Sequence, residues 1–146
     1  MPLAHNQFAS KLNELEAGYA QMISRIRSCH QENLEDITQV KKSIMDECLV
    51  QEAELEEIIS SGRSTALAEL SAMQLRHFRE IRSLSENKIP QYLDAMSMPS
   101  NDSRAEAMAL YAEFAIDNAL QSMRYALHAV FSAVELQLKA EATGSV

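Results

Sequence analysis

Apolar side chains at Phe8, Leu12, Leu15, Tyr19, Met22, Ile26 and Cys29 recur at alternating steps of four and three residues. That spacing is the a/d seam of a left-handed coiled coil, in which one helix face is reserved for a partner helix. The phase then slips by one, and the apolar positions become Leu34, Ile37, Ile44, Cys48, Leu55 and Ile58. Without Gly or Pro between Cys29 and Asn33, the pattern predicts one long first helix over about 3–61, with a break near 29–33 as the alternative.

Ser60-Ser61-Gly62-Arg63-Ser64 reads as a reversal, because Gly62 suits the left-handed position after a helix and Ser64 can cap the next one. Leu67, Leu70, Phe78, Ile81 and Leu84 carry a helix over 64–87, and Pro90 predicts its end by disfavouring helical backbone at Ile89. A short helix over 90–97 follows, then a loop at Met98-Pro99-Ser100. Ser103-Arg104-Ala105-Glu106 matches a capping box opening a final helix over 104–141, with 142–146 as a frayed tail.

These elements predict an all-α fold in a single domain, 1–146. The expected form is an elongated antiparallel helical bundle with coiled-coil-like packing and three long helices, the alternative being an up-down-up-down four-helix bundle. Composition strengthens that picture: three glycines and three prolines in 146 residues leave almost no helix breakers, and 47% apolar content supports a packed core. The final segment is rich in alanine, which allows close helix approach and predicts a central position for it.

The scarcity of glycine excludes phosphate loops, dinucleotide fingerprints and nucleophile elbows, each of which needs glycine for close backbone approach or a strained turn. No histidine is preceded three residues earlier by a carboxylate, so the ligand pattern of carboxylate-bridged metal bundles is missing and no cofactor is expected. Cys29 and Cys48 lack metal-ligand spacing and are expected to be reduced and buried. The net charge of −8 opposes binding to nucleic acid or anionic membranes. With no secretory leader pattern and no long apolar run, the expected location is cytoplasmic.

Three groups of residues remain as candidate surfaces. The seam Phe8, Leu12, Leu15, Tyr19, Met22 and Ile26 is a candidate for helix pairing. Arg76, Arg79 and Arg82 form a basic ridge suited to an acidic partner, or to the Glu-rich stretch Glu47–Glu57 of an antiparallel neighbour. On the last helix, Tyr111, Phe114, Asn118, Gln121, Tyr125 and His128 make a polar-aromatic stripe that could border a ligand cleft or an interface. It runs beside an apolar face of Ile116, Leu120, Met123, Leu127, Val130, Val134 and Leu138.

The leading expectation is a non-enzymatic helical interaction or scaffold module that binds protein and self-associates, a dimer foremost. The alternatives are a small-molecule or metal-binding bundle using the stripe, and a chaperone or adaptor for an exported protein.

Overall fold

The computed structural model describes residues 8–96 and 100–144, and among these the regular structure is all helical. The expected helix start near residue 3, the loop at Met98–Pro99 and the last two residues of the tail lie outside the described residues. The elements are α1 (Ala9–Ser28), a 3-10 turn (Cys29–Gln31), α2 (Leu34–Ser61), α3 (Thr65–Ser83), a π-helical segment (Leu84–Lys88), α4 (Ile89–Ala95) and α5 (Asn101–Thr143). By contacts the chain falls into two units, one of residues 1–27 and 102–146 and the other of residues 28–101.

The single first helix does not form. After the 3-10 turn, Glu32 is extended (φ −100°, ψ 151°), and Asn33 (φ −86°, ψ 174°) caps α2 by accepting a hydrogen bond from the Asp36 amide at 3.0 Å. Glu35 and Asp36 in the first turn of α2 complement the positive end of its dipole. The phase slip in the apolar pattern thus marks a helix boundary: a capping side chain satisfies one of the orphan amides that a new helix start exposes.

In the unit of residues 28–101, α2 and α3 form a helical hairpin. Gly62 adopts the left-handed conformation (φ 63°) that ends α2, and the Ser64 hydroxyl accepts from the Leu67 amide to open α3. Two ion pairs show that α2 and α3 run antiparallel, because Glu56 pairs with Arg79 and the earlier Glu52 with the later Arg82. Among the described residues, those buried in this unit are Glu52, Ser71, Leu75 and Leu93, and the two leucines are 6% and 5% exposed.

Pro90 does not end the helix, in contrast to the reading from sequence. Ile89 is helical (φ −68°, ψ −48°), and its amide bonds the Leu84 carbonyl five residues back, the widened turn of a π segment. Proline lacks an N–H, and its ring crowds the carbonyl four residues earlier. Inserting a π turn ahead of Pro90 relieves that crowding and lets the helix continue into α4, which buries Leu93.

In the other unit α5 spans 43 residues, roughly 64 Å at 1.5 Å per residue, and begins at Asn101 rather than after a Ser103 cap. Ser103 lies inside its first turn.

Candidate functional site

The seam of α1 is well formed and open. Leu12 is 58% exposed, Leu15 50%, Tyr19 60% and Ile26 54%; Met22 is exposed as well, and Phe8 is half-buried. On α5 the apolar face behaves likewise, with Ile116, Leu120, Met123, Leu127 and Leu138 exposed and Val130 and Val134 half-buried. Neither α1 nor α5 buries a single residue.

Within this unit the two faces look at each other across a groove of about 880 Å³. Phe8, Leu12 and Leu15 line one wall, and Leu120, Met123, Leu127, Val130, Phe131 and Val134 the other. Apart from Arg124 its lining is apolar, and the Arg124 guanidinium is engaged at its rim by the Gln121 side chain at 3.0 Å. Such apolar walls have the chemistry of a packing surface.

Every seam residue from Leu12 to Ile26 falls on an a or d position. Taking Leu12, Tyr19 and Ile26 as a and Phe8, Leu15 and Met22 as d, the flanking g positions are Lys11, Gly18 and Arg25, and the e positions are Ala9, Glu16 and Ile23. Lys11 is held by Glu14 on its own helix at 3.0 Å, a pair in which both side chains are largely exposed. On α5 the heptad through Leu120, Met123, Leu127, Val130 and Val134 carries alanine at each successive g position, Ala119, Ala126 and Ala133. Small side chains there leave room beside the seam for another helix.

The polar-aromatic stripe does not line this groove. Tyr111 is half-buried, while Phe114, Asn118, Gln121, Tyr125 and His128 are exposed. Ser132 donates to the His128 backbone carbonyl at 2.9 Å, the ordinary back-bond of a helical serine.

The basic ridge is largely engaged within its own hairpin. Arg82 makes a two-pronged contact with Glu52, Nε to Oε1 at 2.9 Å and NH2 to Oε2 at 3.1 Å, and reaches Glu86 at 3.5 Å. Hydrogen bonding to Glu52 chiefly, with the charges of Glu52 and Glu86, holds the Arg82 guanidinium above its ordinary pKa against an opposing desolvation. Arg79 pairs with Glu56. Arg76 and Lys88 border a cleft of about 510 Å³ beside Leu75 and Ile59.

Glu52 is the residue that the sequence reading overlooked. It is a buried carboxylate satisfied by a forked guanidinium, and the apolar repeat gave no signal for it, since the repeat's own position between Cys48 and Leu55 is Gln51. Cys29 and Cys48 correct another expectation, since both are free and exposed rather than buried.

Among the described residues, no group of three or more His, Cys, Asp or Glu side chains is placed to hold a metal ion, and no helix is long and apolar enough to cross a membrane. Comparison with protein-family models, with curated proteins and with solved structures gives no match.

Proposed function

We propose that this chain is a non-enzymatic helical interaction module whose working surface is the pair of apolar faces on α1 and α5, and that its partner is protein, in the first instance another copy of itself. One observation carries the reading: two helices with sustained apolar heptads bury no residue. Leaving such faces in water forfeits roughly 25 cal/mol for every Å² of apolar surface that a partner would cover. Contiguous exposed apolar surface on this scale marks an association site.

The hairpin of α2 and α3 supports the contrast. It has its own buried leucines, a satisfied buried carboxylate and capped helix starts, which together meet the ordinary requirements of a folded unit. The two free thiols fit a reducing compartment, and we place the protein in the cytoplasm on that ground.

Multi-angle light scattering across the micromolar range tests the reading. A dimer whose population rises with concentration is the expected result, and a monomer at high micromolar concentration overturns it.

A further inference from the structure

We infer that the α1 seam is covered by α1 of a second copy running parallel to it about a two-fold axis, with the apolar face of α5 closing over the pair. This rests on the self-association reading and adds to it an orientation and a register. The charges flanking the seam carry the argument.

In a parallel pair, a g residue on one helix faces the e residue of the next heptad on the other, five positions on. Lys11 then meets Glu16 of the second copy, and symmetry repeats the contact, so two opposite-charge pairs flank the seam. Gly18 meets Ile23, which brings no charge conflict. Lys11 is free to make this exchange because its present partner, Glu14, is an exposed neighbour on the same helix.

An antiparallel pair has the reverse outcome. Aligning the described seam on itself sets Phe8 against Ile26, Leu12 against Met22 and Leu15 against Tyr19, and g then faces g while e faces e. Lys11 is brought to Arg25, and Glu16 to Glu16 of the second copy. Like charges at every charged flanking position disfavour that alignment.

The surface available is sufficient for a stable pair. At their observed exposures, the large apolar residues of the α1 seam and the α5 face offer on the order of 1,000 Å² per chain, above the roughly 800 Å² that each partner gives to a standard stable interface. α1 contributes 20 residues, about 30 Å of helix, so the α5 face is needed to reach that area.

Cross-linking in the full-length chain tests the orientation. In a background of Cys29→Ser and Cys48→Ser, the variants Leu12→Cys and Met22→Cys are each oxidised alone and then as a mixture. Parallel pairing brings identical positions together, so each variant forms a covalent dimer with itself, and mass spectrometry of the mixture finds no disulfide between the two positions. A dominant mixed disulfide overturns the inference in favour of the antiparallel pair. Light scattering that shows a dimer while neither variant cross-links to itself also overturns it and leaves the self-association reading standing; a monomer removes both. Charge reversal is an independent arm. Lys11→Glu is expected to raise the dimer dissociation constant about tenfold through its two symmetric contacts, and Lys11→Glu with Glu16→Lys to restore it. Failure of the double variant to recover would count against the register.

Discussion

Truncating Leu15 to alanine isolates how much of the seam's energy belongs to association. Complete desolvation of the three methylene-sized groups removed would be worth about 2.4 kcal/mol, at about 0.8 kcal/mol each. Leu15 is 50% exposed in the chain, so about half of that value, roughly 1.2 kcal/mol, is gained only when a partner covers it. A symmetric dimer contains the residue twice, which gives about 2.4 kcal/mol and a rise in dissociation constant of roughly 60-fold. Any cavity left behind would enlarge the effect. Sedimentation equilibrium of Leu15→Ala beside the unaltered chain measures this directly. Leu67→Ala is the control, since Leu67 is 46% exposed on α3, outside the seam. A shift below about threefold for Leu15→Ala, or an equal shift for Leu67→Ala, would refute the assignment of the interface to α1.

Two further variants test the fold around it. Leu75, 6% exposed, is a buried leucine of the hairpin, and Leu75→Ala should cost about 2–4 kcal/mol, read as a fall in the urea midpoint of hairpin unfolding. Asn33→Ala removes the acceptor for the Asp36 amide and should cost about 1 kcal/mol, with faster amide exchange confined to the first turn of α2; Asn33→Asp should preserve the protection. Unchanged exchange at Asp36 in the alanine variant would show that the cap does not hold that boundary.

Local chemistry determined how much of this architecture could be read from the sequence. The turn at Gly62 was legible because a positive φ and a side-chain N-cap are demands that only a few residue types meet. The start of α2 is equally local, yet the lack of Gly or Pro in that stretch hides it, because an N-cap such as Asn33 needs neither. Pro90 misled for a different reason. The rule that a residue before proline avoids helical backbone holds for an unconstrained chain, whereas here packing of Leu93 rewards continuation and a π turn accommodates the ring. The candidate seam was visible as a repeat, but the same repeat would describe a helix covered by its own chain. Whether α1 is covered or open depends on tertiary placement, which periodicity does not encode; the exposure of Tyr19 and Ile26 was therefore unreadable, and so was that of Cys29.

A net charge of −8 would at first sight oppose pairing of two copies, and its distribution removes the difficulty. Nine acidic against two basic residues lie between 28 and 62, whereas α1 carries Lys11, Arg25 and Arg27 against Glu14 and Glu16. The helix assigned to the two-fold contact is therefore nearly neutral, with a slight positive excess. At physiological ionic strength charges farther away than about 8 Å are largely screened, so what two α1 helices feel is set by their own flanks. Those flanks offer attraction in one orientation and repulsion in the other. The acidic helix α2 meanwhile spends Glu52 and Glu56 on Arg82 and Arg79 inside the hairpin. In the proposed pair the apolar heptad would supply the affinity, and the few charges beside it would choose the direction in which the copies meet.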